Sequence, residues 1–442
     1  MTLSVLAFRG PLPAITDTDG QPPRAPARPG GVWPRAILHA DLDAFFATAE
    51  IARRPELAGL PVIVGGRRGG RGVVSAASYP ARVYGIRSGM SIAEAERRCP
   101  HAVFLPVDGA HYGDLARRFR AILMTYSPLV QMTGPDEAAI DVTGMERVSG
   151  PPEMIALDIR RRVRAELALI VSIGLATGRT TAKIAAKTAK PDGFRAVPPR
   201  KGAAFLAPLP VAAMPGIGPA TERALHAMGI KTLGALAALP DAQLRARFGD
   251  LGPALARHAR GEDDTPITVG HVMKSVGHER TLRHDTRDRV FLRATLAALC
   301  DETATELRRH EQTARVVHLR VRAGDFRSVG MQTTIFPATN AQQVLLDAAW
   351  ALYEPCIARL GWPAVRLIGV RAAGLGGGGA QLTLLSDRPQ RLCSINAAID
   401  AIRARHGTQA IRPALTLLTA EHPQDHADAR EPTPQPPRAS HE

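Results

Sequence analysis

The chain has 442 residues, 45% of them hydrophobic, which is too long for one ordinary domain and ample for several buried cores. Its 56 basic residues against 41 acidic ones leave a formal charge of +15, pointing to a polyanionic partner, nucleic acid above all. With aromatics at only 4%, a surface that tracks a duplex backbone is expected rather than one that stacks bases. Four scattered cysteines (Cys99, Cys300, Cys356, Cys393) without a CxxC pair, no apolar run of membrane length and no signal-peptide core argue against zinc, disulfides, membrane and export, leaving a reducing cytoplasm as the expected setting.

In chain order, residues 1–34 are Pro/Gly-rich without periodicity and read as a disordered leader. Ala36–Ala40 is a short apolar run that predicts a strand ending at Asp41, followed by Phe45, Phe46, Ala49 and Ile51 at helical spacing. Pro61–Val64 and Gly72–Ala76 read as strands, and Ser91-Ile-Ala-Glu94 as a capping box opening a short helix. His111–Met124 is amphipathic. Leu129–Met132 and Ala138–Val142 flank Thr133-Gly134-Pro135 as a hairpin. A second amphipathic helix, Met154–Leu167, precedes the apolar strand Leu169–Leu175.

Met214–Leu239 reads as helix, turn, helix, opened by Gly216-Ile-Gly218. Beyond Ser275, strands are expected at Thr313–Val321, Gln332–Phe336 and Val365–Ala372, with a helix near Gln342–Tyr353. A glycine spacer at Gly374–Gly379 and a helix near Ile395–Arg405 follow, then a disordered tail, 419–442.

With Phe45–Val107 set aside as an insertion, the first part reads β-α-β-β-α-β, the ferredoxin-like arrangement. Its first and third strands lie side by side and antiparallel, so the end of one meets the start of the other. That brings Asp41 to Asp136 and Glu137. Clustered carboxylates repel unless a cation intervenes, and oxygen donors of this kind suit Mg²⁺. Two such ions can activate a hydroxyl and stabilise a leaving pyrophosphate. Read singly, Asp-Glu beside Gly-Pro is turn chemistry and Asp41 a helix cap; read together, the metal interpretation is the better one.

Four segments carry a resemblance: His39-Ala-Asp41-Leu-Asp43-Ala-Phe45-Phe46-Ala, Ser78-Tyr79-Pro-Ala-Arg82, Asp136-Glu137-Ala-Ala-Ile-Asp141, and Ala182-Lys-Ile-Ala-Ala-Lys-Thr-Ala-Lys190-Pro. In order and spacing they resemble the Y-family DNA polymerases, most closely the DNA polymerase IV (DinB-like) branch, from about Arg35 to about Leu418. The resemblance implies an α+β right-hand polymerase. Its expected parts are a ferredoxin-like palm (35–44 and 108–197), fingers inserted at 45–107, a helix-hairpin-helix thumb (198–268) and an α/β little finger (273–418).

It also implies two Mg²⁺ held by Asp41, Asp136, Glu137 and the Leu42 carbonyl, and a nucleotide pocket of Phe45, Phe46, Tyr79, Arg82 and Lys190. Phe46 matches the steric gate against ribonucleotides, whereas Phe45 also reads as a core aromatic of its helix. Asp43 matches no ligand and is assigned a structural role. Lys183 and Lys187 are left as general basic surface. Gly216, Gly218, Lys274 and Arg280 are the expected DNA contacts, and Gln381-Leu-Thr-Leu-Leu385 resembles a sliding-clamp peptide through Gln381, Leu382, Leu384 and Leu385; an edge strand is the alternative.

Expected partners are primer-template DNA, deoxynucleoside triphosphates and the clamp, with the enzyme a monomer. Small residues at Ser75, Ala76 and Gly89, and no segment resembling a proofreading exonuclease, agree with low-fidelity translesion synthesis in DNA repair and damage tolerance. Two departures stand out: Gly134-Pro135 before the acidic pair, where the family has Ser and an apolar residue, and Ala139 where Tyr is usual. The rival readings are a non-catalytic DNA- and clamp-binding adaptor and a nucleotidyl cyclase.

Overall fold

A computed structural model describes residues 33–270, 273–377 and 388–419. The chain divides into two units, Met1–His271 and Val272–Glu442.

The first unit is built on β1 (Ile37–Leu42), buried at every position except Asp41, which is half-buried. After α1 (Phe45–Arg53), the inserted segment forms a small sheet of its own. It comprises β2 (Val62–Gly65), β3 (Val74–Ala77), α2 (Tyr79–Val83), α3 (Ile92–Arg98) and β4 (Val103–Leu105), with strand order β3-β2-β4. Its core gathers Ile63, Val74, Ile86, Ile92 and Cys99. Ser91 caps α3 as expected, its hydroxyl accepting from Glu94 N at 3.2 Å, while the Glu94 carboxylate bonds Arg98.

The chain then completes the larger sheet with α4 (Gly109–Met124), β5 (Val130–Met132), β6 (Glu137–Asp141), a short α5 (Glu146–Ser149), α6 (Pro152–Leu167), β7 (Val171–Ala176), α7 (Arg179–Ala189) and β8 (Phe194–Ala196). The order β5-β6-β1-β7-β8 is the ferredoxin-like order with one added edge strand. α4 and α6 cover one face through Phe119, Leu123, Ile155 and Ile159. The other face, with Ile37, Ala139 and Ala176, takes Ala182 and Ala185 of α7. These small residues let α7 sit very low on the sheet. A Cβ at Gly174 would lie 2.1 Å from Ala182 O and 2.4 Å from Ala186 N, so only glycine fits beneath the helix.

A helical array closes the first unit: α8 (Gly202–Leu206), α9 (Pro219–Ala227), α10 (Leu233–Ala237), α11 (Asp241–Phe248) and α12 (Leu251–Ala259) around Leu206, Leu225, Leu236, Leu244 and Leu255. The expected helix-turn-helix is α9 and α10, turned at Gly229 with φ +80°.

The second unit is an antiparallel sheet of order β11-β10-β12-β9. Its elements are β9 (Ser275–Thr286), α13 (Arg289–Arg309), β10 (Gln312–Ala323), β11 (Ser328–Thr339), α14 (Gln342–Ala351), α15 (Tyr353–Leu360), β12 (Val365–Gly377) and α16 (Arg388–His406). Helices α13, α14 and α15 bury one face over Leu319, Val321, Ile357 and Ile368. The longest helix among the described residues, α13, has no clear signature in the sequence, because Leu292, Ala294, Leu296, Ala297, Leu299 and Cys300 are all buried and leave no narrow stripe. Gly374–Gly377 do not form a spacer. They extend β12, with Gln312 opposite Gly377 and Thr313 opposite Gly376, because ladder bonds need only the backbone. The clamp-like segment Gln381–Leu385 lies outside the described residues.

Candidate active site

The register of β1 against β6 pairs Asp41 with Glu137, and Leu42 N donates to Asp136 O at 2.9 Å, so the three expected carboxylates share one sheet edge. Ligand atoms of His39, Asp41 and Glu137 all lie within 4.8 Å of one another. Burial, then the charges of Asp41 and Glu137, push the Asp136 carboxyl above its ordinary range. Glu137 moves the other way: the His39 ring, with Lys183 and Thr133, holds its carboxyl well below the usual range.

Two lysines reach this edge. Lys190 Nζ donates to Asp41 Oδ1 at 2.6 Å, and Lys183 Nζ donates to both oxygens of Glu137 at 2.8 Å. Lys183 is therefore not general surface, as its helix face suggested. Lys183 projects from α7 itself, whereas Lys190 is the residue that follows the helix, in extended backbone. His39 also belongs to this edge. Two residues before Asp41 on a strand, it faces the same way, buried, with Nε2 at 3.6 Å from Glu137 Oε2.

Asp43 is 1% exposed, and its Oδ2 accepts from Ser172 Oγ at 2.8 Å and Asp192 N at 2.7 Å. It fastens β1 to β7 and to the loop after Lys190. Gly134 keeps the approach open, since a Cβ there would press on Asp136 Oδ1 at 3.1 Å. Ala139 is buried opposite His39, among the small residues beneath α7.

Among the expected nucleotide contacts, Phe45 is core, 3% exposed. Phe46 is half-buried and stacks on Tyr112 with centroids 4.2 Å apart and planes at 13°. Tyr112, not singled out in the sequence, donates its hydroxyl to the buried Glu50 at 2.7 Å. Tyr79 opens α2. Burial, then the Asp43 charge, push its phenol well above the ordinary value. The Arg82 guanidinium lies over the Tyr79 ring, 4.7 Å from its centroid, and Arg82 Nε donates to Ala77 O at 3.0 Å.

Elsewhere, Gly216 takes φ +93°, a value that favours glycine, while Gly218 caps α9 beside open space. In the second unit Lys274 is exposed just before β9. Arg280 points to the helical side, donating to Glu302 of α13 at 3.0 Å, so it is not on the open sheet face. That face carries His318, Arg320 and Arg371 instead.

The donor set gathered at this edge, the carboxylates of Asp41 and Glu137 with the His39 ring, fits a divalent cation. Cys99, Cys300 and Cys356 are buried free thiols, and among the described residues no helix is long and apolar enough to cross a membrane.

Comparison with known proteins bears on this geometry. The impB/mucB/samB family model matches residues 40–187, its C-terminal domain model 273–384, and the IMS family HHH motif 199–230. The DNA polymerase IV of Dehalococcoides mccartyi (strain CBDB1) is 40% identical over 382 residues, covering 86% of this chain and 97% of that relative. The DNA polymerase IV of Halorhodospira halophila is 40% identical over 345 residues, 77% and 95%. Among solved structures, the Y-family DNA polymerase chimera Dbh-Dpo4(243-245)-Dbh superposes with a TM-score of 0.69 at 25% identity, covering 77% of this chain and 99% of that one. These matches span both units and the carboxylate edge; the chain belongs to the DNA polymerase IV branch of the Y-family and is a DNA-directed DNA polymerase.

Proposed function

We propose that this polymerase extends primers by a two-metal mechanism, with low fidelity and a role in translesion synthesis. One observation carries the reading: Asp41 lies opposite Glu137 in register, with Asp136 beside it. Asp41, Asp136, Glu137 and the Leu42 carbonyl would hold two Mg²⁺. Those ions, when bound, would favour the ionised primer 3′-hydroxyl and offset charge on the leaving pyrophosphate. The residues of the chain do the rest. Lys190 and Arg82 are charged donors for triphosphate oxygens, and Tyr79 adds its hydroxyl. Phe46, backed by Tyr112, is the ring against which a ribose 2′-hydroxyl would clash.

In this reading the larger sheet and α7 form the palm, the inserted sheet the fingers, the helical array the thumb and the second unit the little finger. The amides that open α9 are free of side chains at Gly218 and suit a phosphate. Arg320 and Arg371, on the open face of the second sheet, suit the duplex backbone. Ser75, Ala76 and Gly89 would be the small residues near a damaged base pair. The segment Gln381–Leu385 would engage the sliding clamp, and the enzyme would work as a monomer in the cytoplasm.

Primer extension on damaged and undamaged templates tests the proposal. Asp136→Ala is expected to abolish incorporation with DNA binding retained, and Phe46→Ala to admit ribonucleotides. Incorporation by Asp136→Ala at the parent rate would defeat the metal assignment. Deleting 381–385 is expected to remove clamp stimulation while sparing basal synthesis.

A further inference from the structure

Helix α7 carries Lys183 and leads into Lys190, yet its first turn has no cap of its own. Gly178 occupies the N-cap, so no local side chain meets the free amides. The acceptor arrives from 83 residues away: Thr180 N donates to Asp263 Oδ2 at 2.7 Å. Asp263 follows α12 and is 6% exposed, and its other oxygen accepts from Thr265 N at 3.1 Å. Arg35, two residues before β1, pins the same segment by donating to Asp263 O at 2.8 Å and Thr265 O at 2.5 Å. Gly178 is what permits the approach, since a Cβ there would lie 2.9 Å from that of Asp263. One short segment thus clasps both the strand bearing Asp41 and the helix bearing Lys183.

The far end of α7 is held independently. Asp192 pairs with Arg160 at 3.0 Å and with Arg164, and its amide donates to Asp43 at 2.7 Å. Lys190, next to that loop, does not depend on the first turn. Lys183, one turn beyond Thr180, does.

We infer that Asp263 is a positioning residue for the catalytic centre: its carboxylate caps α7 from outside the helix and so sets the aim of Lys183 at Glu137. The inference rests on the reading of Glu137 as a metal-binding carboxylate. It concerns kcat rather than nucleotide binding, because the two lysines are anchored from opposite ends of the helix.

The test compares Asp263→Ala, Asp263→Asn, Lys183→Ala and the Asp263→Ala/Lys183→Ala pair in the full chain. Hydrogen exchange of amides 179–183 is read beside steady-state incorporation. Asp263→Ala is expected to speed exchange there and lower kcat about fivefold, the weight of one N-cap, with KM for the nucleotide within about twofold. Asp263→Asn keeps an acceptor oxygen and is expected to restore kcat to within about twofold. On the Lys183→Ala background, Asp263→Ala is expected to change kcat by less than about twofold, because both act through one contact.

Effects that multiply in the pair, or an Asp263→Asn variant as slow as Asp263→Ala, overturn the inference. So does an unchanged kcat in Asp263→Ala while Glu137→Gln is inactive. A fully active Glu137→Gln would instead remove the metal-carboxylate reading on which the inference stands.

Discussion

Tyr112 lies behind Phe46, and two substitutions there separate its two jobs. Its ring supports the Phe46 ring at 4.2 Å, and its hydroxyl bonds Glu50, itself 1% exposed and held by Arg53 through Nε at 3.0 Å and Nη2 at 2.7 Å. Tyr112→Phe deletes the hydroxyl but leaves Glu50 on Arg53. The loss is therefore at the lower end for a bond to a charged group, about 1.5 kcal/mol, with stacking intact. Tyr112→Ala removes the ring, costing about 3–5 kcal/mol of stability. It also removes an aromatic contact worth about 0.5–1.5 kcal/mol to the orientation of Phe46. If that orientation enforces sugar selection, discrimination falls about twofold to tenfold in Tyr112→Ala and stays unchanged in Tyr112→Phe. The assay is the ratio of kcat/KM for a deoxynucleotide and its ribonucleotide at one template position, at a temperature where both variants are folded. Parent-like discrimination in Tyr112→Ala, or equal relaxation in both variants, would refute the reasoning.

Gly174→Ala drives a methyl group to 2.1 Å from Ala182 O; a loss of about 3 kcal/mol or more in denaturant melts is expected, with activity falling as α7 lifts. Gly218→Ala meets nothing within 4 Å, so its stability should stay within about 0.5 kcal/mol while DNA affinity weakens in a binding titration. Burial raises the Asp263 carboxyl, but the bonds from Thr265 and Thr180 outweigh it and bring it from 3.8 to about 2. A group depressed in the folded state stabilises above its ordinary value and loses that contribution as pH falls through the folded one. The melting-temperature gap between parent and Asp263→Asn should therefore be full above 3.8 and close toward pH 2; a gap constant with pH would contradict this. Arg403 donates to Asp301 at 2.8 Å and to Ile411 O at 2.8 Å, so Arg403→Ala should cost about 2–3 kcal/mol and speed proteolysis around α16.

The carboxylate edge was legible because each element that builds it has a local signature. An apolar run ends at Asp41, a Gly-Pro turn precedes Asp136, and two amphipathic helices fix the order of strands. Topology then turned residues nearly a hundred positions apart into register neighbours. The partners of those carboxylates were not legible in the same way. A lysine on a helix face reads as solvated until the height of the helix above the sheet is known, and that height depends on Gly174, Ala182 and Ala186 rather than on the lysine. Arg280 shows the converse. The family resemblance makes its segment a DNA contact, and alternation along β9 from buried Val276 to buried Leu282 turns its side chain toward α13. Strand parity decides such cases, and a single slip inverts the face.

Charge balance at the edge is what would give the proposed site its preference for a cation. Four carboxylates, Asp41, Asp43, Asp136 and Glu137, face two lysines, with Lys190 serving both Asp41 and Asp43 and Lys183 committed to Glu137. Glu137 is held well below the carboxylate range by the His39 ring first and then by Lys183, while burial, with the charge of Asp41, pushes Asp136 above it; Asp136 is in no ion pair among the described residues. In the proposed mechanism a divalent cation beside Asp136 would offset a carboxylate that has no lysine partner among the described residues. On the proposed function, an arriving triphosphate would add negative charge beside Asp41 and compete for Lys190, which would leave a second carboxylate open to a cation. Nucleotide and metal would then favour each other's binding through Lys190. Lys190→Ala should weaken that mutual effect as well as the affinity for nucleotide, measurable as the change in half-saturating Mg²⁺ with nucleotide concentration.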